Sequence, residues 1–192
     1  MREKKVLGLA LCGSYCSYDK LFDAAKSLTA EYELIPIMSE TAASTGSRFG
    51  SAEDNARKLS ELCKRPIVAS IVDAEPLGPS TPMDALLIAP CTGNTLAKLA
   101  HGITDSAVTM AAKAHLRNGR PLILAISTND GLSASAENIA RLINRKNIYF
   151  VPFWQDDYVK KPNSLQADFT CMADTVKAAL AGQQLQPILI AK

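Results

Sequence analysis

Apolar runs of strand length recur along the chain, each closing on a loop of small hydroxylated residues, and most lead into a helix-length amphipathic stretch. Val6 to Leu11 is the first run, followed by Cys12-Gly13-Ser14-Tyr15-Cys16-Ser17 and a predicted helix from Tyr18 to about Ala30. Glu33 to Met38 predicts a second strand, in which Pro36, lacking an N–H for the ladder, marks either an edge position or an irregular ladder. Ser51-Ala52-Glu53-Asp54 resembles a capping box and opens a helix ending near Cys63. Pro66 to Val72 predicts a third strand, and the turn-rich Asp73 to Pro79 leads to a central run, Ala85 to Ala89, which Pro90 should end. A helix follows the loop at Thr92. Another begins at Ile103 to Ser106, capped by Thr104 or Asp105, and reaches Asn118, where Gly119 stops it. Pro121 to Ile126 predicts a further strand, Ser135 to Arg145 a helix, Tyr149 to Pro152 a last short strand and Asp168 to Ala181 a closing helix.

Unbroken apolar strands alternating with helices describe a parallel sheet covered on both faces. Right-handed crossovers then give an α/β fold, a Rossmann-like doubly wound sheet in a three-layer α/β/α stack. One domain is expected over residues 1–182, with 183–192 as a tail that packs on a neighbour. In such sheets ligands bind beyond the carboxyl ends of the strands, against helix N-termini.

The polar loops therefore carry the candidate chemistry. Thr92, Gly93, Asn94 and Thr95 combine hydroxyls, an amide and free backbone donors, and two readings stand: a phosphate cradle, or a strand-to-helix connection with Asn94 or Thr95 as N-cap. Gly13, Ser14 and Ser17 offer either a phosphate-holding helix start or a plain tight turn. G-x-G-x-x-G and the P-loop are both absent from that position, so nicotinamide binding lacks its usual signature. Ser39 ends the second strand beside the first loop, and Ser127 to Gly131 repeats the pattern after a later one. Asp73 and Glu75 are either an acid and base pair or turn caps. The aromatic, charged stretch Phe153 to Pro162 reads as a lid, a contact between subunits or an ordinary surface loop.

Composition narrows the class. The chain has 192 residues, 47% of them hydrophobic, enough for one substantial core. A net charge of +2 with scattered basic residues argues against a nucleic-acid or membrane surface. The start, Met1-Arg2-Glu3-Lys4-Lys5, lacks the apolar region of a signal peptide, which predicts a cytoplasmic protein. Five cysteines, widely spread, fit reduced thiols, and no Cys/His metal spacing appears around His101 or His115. Cys91, beside a helix start, is either a reactive thiol or a small buried filler.

Pro90-Cys91-Thr92-Gly93-Asn94-Thr95 resembles the Pro-Ala-Ser-Ala-Asn-Thr signature of the homo-oligomeric flavin-containing cysteine decarboxylase superfamily. Lys98 to Asp105 is similar to its second signature, Lys-x-Ala-x-Gly-x-x-Asp. The likeness extends over nearly the whole chain to a flavoprotein-like member of that superfamily, most specifically through Val72 to Pro76, Ile88 to Asp105, Ala125 to Leu132 and Asn147 to Phe153.

The resemblance implies FMN as cofactor, its phosphate against Gly13, Ser14, Thr92 and Thr95, with Ser39 and Asn94 nearby and the isoalloxazine toward Ser127 and Asn129. It implies a homo-oligomer that helps oxidise a dihydrodipicolinate-type dicarboxylate to dipicolinate during sporulation, in the mother cell, together with a partner protein that uses NADP. Arg48, Lys98, Lys113 and Arg117 are the candidate cations for the dicarboxylate, and no catalytic residue is assigned. The alternatives are an FMN-dependent cysteine-type decarboxylase and a non-catalytic module that stabilises the partner. Against decarboxylation, no histidine precedes His101, and the superfamily's Pro-x-Met-Asn clamp is here Ile126-Ser127-Thr128-Asn129.

Overall fold

In the computed structural model, which describes residues 4–78, 80 and 83–191, strand β1 (Lys5–Leu11) lies between β2 (Tyr32–Met38) and β3 (Ala85–Cys91) and pairs with both in parallel. Strand β4 (Leu122–Thr128) adds beyond β3, and β5 (Ile148–Phe150) lies along the first half of β4, again in parallel. The parallel order is therefore β2-β1-β3-β4-β5. The direction of winding reverses between β1 and β3.

The second half of β4 takes a different partner. β7 (Leu165–Ala167) pairs antiparallel with Ser127 and Thr128, and β6 (Phe153–Trp154) pairs antiparallel with β7. The seven-stranded sheet is thus mixed, and Tyr149 to Pro152 does not hold the last strand. Two-residue and three-residue strands carry too little periodicity to be read from sequence.

Helices α1 (Tyr18–Glu31), α2 (Glu40–Ser44), α3 (Ala52–Cys63), α4 (Ile71–Ala74), α5 (Gly93–His101), α6 (Ala107–Arg117), α7 (Ala136–Ile143) and α8 (Met172–Leu180) follow or bridge the strands. The core is the set of strand side chains between them: Leu7, Leu9, Leu11, Ile37, Met38 and Leu86 are fully buried. Truncating one such leucine to alanine costs about 2–5 kcal/mol. Gly8 belongs to that packing, because a Cβ there would lie 2.5 Å from the Met83 sulfur.

Three sequence expectations are corrected. Pro66 to Val72 is not a strand: only Val68 bridges to Ile37, and Ser70 accepts the Asp73 N–H to start α4, so a local cap outcompetes the apolar run. Pro90 does not end its strand, which continues to Cys91 through a cis Ala89–Pro90 bond. The register against β4 shifts between Ile88 and Cys91, so the missing donor falls where the ladder is already irregular. The cap of α6 is Ser106, in a capping box with Thr109, rather than Thr104 or Asp105. Part of the 183–192 tail also bonds to its own chain: Phe153 donates to Ile188 and accepts from Ile190, and the Gln184 amide brackets the backbone of Phe150 at 2.7 Å on both sides. Edges of β5 and β6 are closed in this way. Pro79 and the N-terminal Met1 to Glu3 lie outside the described residues.

Candidate functional site

Beyond the carboxyl ends of β1, β2 and β3, at the β1/β3 reversal, lies a cavity of about 570 Å³. β1 delivers Cys12 and Gly13 to it, β2 delivers Ser39, Glu40 and Thr41, and β3 delivers Thr92, Asn94 and Thr95. Ile71 from α4 and Lys98, Asp105 and Ser106 from the α5–α6 segment complete the lining. Its volume lies within the ~300–1,000 Å³ of ordinary ligand sites.

Local sequence fixes each wall. Thr92 is the N-cap of α5, its hydroxyl accepting the Thr95 N–H at 3.3 Å, and Ser39 caps α2 by accepting the Ala42 N–H at 3.2 Å. The other end of α5 is held as firmly. Gly102 ends it in the left-handed conformation (φ 72°), and the Arg145 guanidinium donates to the carbonyls of Leu99 at 3.0 Å and Ala100 at 2.6 Å. The first turn of α5 bears no acidic residue, so no carboxylate of its own neutralises the positive dipole end at the cavity wall.

Five of the predicted cofactor residues, Gly13, Ser39, Thr92, Asn94 and Thr95, line this cavity. The other three do not. Ser14 turns to Ser127, hydroxyl to hydroxyl at 2.7 Å. Ser17 joins Ser127 at 2.9 Å, and Ser127 donates to Gln166 Oε1 at 2.9 Å. Asn129 is exposed in the loop after β4. Gly93 is also reassigned: a Cβ there would lie 2.7–2.8 Å from Ser135, Asp130 and Thr128, so its small size serves contact with the β4–α7 loop. Asp73 and Glu75 are exposed at and just after the end of α4, with Asp73 accepting from Ser70 at 2.6 Å in a cap.

Sequence reasoning did not assign Cys12, Glu40, Thr41, Ile71, Asp105 and Ser106 to the cavity. Glu40 accepts the Ala107 N–H at 3.0 Å, so its carboxylate answers the N-terminus of α6 across the cavity. Lys98 pairs with Asp105 at 2.8 Å, and that hydrogen bond and charge hold the Asp105 carboxyl below the usual range. The other candidate cations, Arg48, Lys113 and Arg117, are exposed and line no part of it.

The two buried thiols beside the cavity and the α5 start, Cys12 and Cys91, are quiet. Burial pushes Cys12 up to about 11, against an opposing hydrogen bond from Thr95, and raises Cys91 well above the ordinary thiol range. Cys91 is therefore a packed filler and not an activated nucleophile. No group of His, Cys, Asp and Glu among the described residues is arranged to hold a metal ion.

The Flavoprotein family profile matches residues 1–184. The chain belongs to the flavoprotein family. Within it, the chain is 46% identical over 187 residues to the B subunit of dipicolinate synthase from Bacillus subtilis (strain 168), covering 97% of this chain and 94% of that one. The crystal structure of the dipicolinate synthase B subunit from Bacillus halodurans C superposes with a TM-score of 0.90 at 45% identity, over 98% of this chain and 97% of that chain. The FMN-dependent cysteine decarboxylase SpaF shares the fold at a TM-score of 0.65 and 19% identity, over 93% of this chain and 96% of that chain. In this flavoprotein the motif Pro90 to Thr95 forms the end of β3 and the first turn of α5, and the second motif supplies the Lys98–Asp105 pair.

Proposed function

We propose that the chain is the flavin-binding subunit of a dipicolinate synthase, holding FMN in the β1/β3 cavity and helping to oxidise a dihydrodipicolinate-type precursor to dipicolinate. The observation that carries this reading is the meeting of Gly13, Ser39, Thr92, Asn94 and Thr95, from three separate strand ends, around one cavity. Its donor chemistry suits a phosphate: two capping hydroxyls, the free amides of one helix start and a lysine. FMN when bound supplies hydride or single-electron transfer.

The chain's own residues do the holding. Thr92 fixes the start of α5 so that its first-turn amides face the phosphate position, and Ser39, which accepts from Ala42, keeps its proton to donate. Cys12 and Ile71 form the apolar part of the wall. The high identity to the Bacillus subtilis B subunit supports dipicolinate chemistry and a partner subunit. In the same reading that partner is the NADP-using A subunit, and the pair works in the cytoplasm of a sporulating mother cell. A homo-oligomer is part of the same reading. No helix among the described residues is long and apolar enough to cross a membrane.

Titration of the purified protein with FMN, followed by visible absorbance and quenching of flavin fluorescence, tests the proposal. Saturable binding near one flavin per chain is expected. Absence of binding at high micromolar flavin would remove the cofactor from the account.

A further inference from the structure

The cavity's charges are few and unevenly committed. Glu40, Lys98 and Asp105 are the charged side chains lining it among the described residues, so carboxylates outnumber cations there. Glu40 is engaged with the N-terminus of α6 through Ala107. Lys98 lies one turn beyond Thr95 on the same face of α5, and side chains on a helix lean back toward its N-terminus. Its ammonium is held 2.8 Å from Asp105, and both residues line the cavity. The Lys98 side chain is 25% exposed and Asp105 is 55% exposed, so the lysine is largely enclosed while its partner faces water.

We propose that Lys98 is the anion-selecting residue of this cavity, held ready on Asp105 and passing its ammonium to an oxyanion of the ligand. The inference rests on the reading that the cavity takes a phosphorylated flavin. Asp105 is then a positioning residue. It keeps the ammonium extended at the cavity wall, and water can solvate its carboxylate when the lysine turns to the ligand. Without Lys98 the lining would hold two carboxylates and no cation, and only neutral donors, the α5 amides and the capping hydroxyls, would oppose their repulsion. The cavity should therefore owe part of its preference for FMN over riboflavin to this side chain. The same ammonium is suited to a ligand carboxylate, and the two sources of oxyanion are separable.

The test titrates the full-length wild type, Lys98→Gln, Lys98→Arg and Asp105→Asn with FMN, riboflavin and pyridine-2,6-dicarboxylate at low and moderate salt, with the melting temperature of each variant. The expected result is a loss of about tenfold in FMN affinity in Lys98→Gln, unchanged riboflavin binding, recovery in Lys98→Arg, and equal or tighter FMN binding in Asp105→Asn. A loss confined to the dicarboxylate also supports Lys98 as the selector and assigns the oxyanion to the substrate. Equal binding of all three ligands by wild type and Lys98→Gln overturns the inference while leaving the flavin reading intact. So does a matched loss of FMN and riboflavin, which would mark a purely structural role. A wild type that binds none of the three overturns both.

Discussion

Two hydroxyl-rich regions lie at the same edge of the sheet and differ in what they leave undone. Around Ser127 the hydroxyls close on one another: Ser14, Ser17 and Ser127 share short bonds and Gln166 accepts the end of the chain. Around α5 they cap helices and leave a cavity between them, with the first-turn amides and the Asn94 side chain open to it. In the amino-acid sequence both look alike, as serine and threonine after an apolar strand. A ligand site is therefore marked by donors left without an internal acceptor, and hydroxyl content alone does not mark it.

The comparison is sharpened most by acid, which should strike the closed interior and spare the cavity. His115 is fully buried on α6, donates from Nε2 to the Pro121 carbonyl at 2.9 Å, and leaves Nδ1 unpartnered. Burial lowers its pKa from 6.5 to about 4. The unfolded chain thus takes the proton near pH 6.5 and the folded chain only near pH 4. Stability is complete above the upper value and falls by about 3 kcal/mol as pH drops through the lower one. Urea unfolding between pH 7 and 4 should show that slope, and His115→Leu should flatten it.

Next in size is Gly93→Ala, whose Cβ would collide with the Thr128, Asp130 and Ser135 oxygens. A loss of about 1–3 kcal/mol is expected, read as a lower urea midpoint. An unchanged midpoint would mean that α5 and the β4–α7 loop are less tightly joined than their separation implies.

The paired substitutions Ser127→Ala and Thr92→Ala test the contrast itself. Ser127→Ala leaves Ser14, Ser17 and Gln166 short of partners and should cost about 1–2 kcal/mol of stability, with FMN affinity within about twofold of wild type. Thr92→Ala should cost about 1 kcal/mol as a lost N-cap, yet weaken FMN binding by about tenfold. Reversal of that pattern breaks the distinction between the two regions. The smallest effect expected is chemical. Under native conditions near pH 8 a maleimide should label exposed Cys16 and leave buried Cys12, Cys63 and Cys91 untouched, as peptide mass spectrometry would record.

Much of the frame was legible because long apolar runs bounded by small polar loops leave few alternatives to a parallel sheet. The reading failed where a local cap competed with a pattern. Ser70 turned an apolar stretch into α4, and Ser106 with Thr109 displaced two equally good caps. The cavity was half legible. Ser39, Thr92 and Thr95 follow strands and could be named, and Lys98 was among the candidate cations, while Asp105 stood in the second motif with no place in the site. Glu40 was invisible, since its partner Ala107 is remote in the chain and no local spacing connects them. The pairing of Ser14 with Ser127 was hidden for the same reason.

The most direct test of the central claim is a crystal structure of the protein grown or soaked with FMN. The account predicts the phosphate between Ser39 and the first turn of α5, with Thr92 and Thr95 against its oxygens and the Ser127 cluster still bonded to itself. A flavin phosphate seated elsewhere, such as the groove beside Trp154 and Phe169, would contradict it.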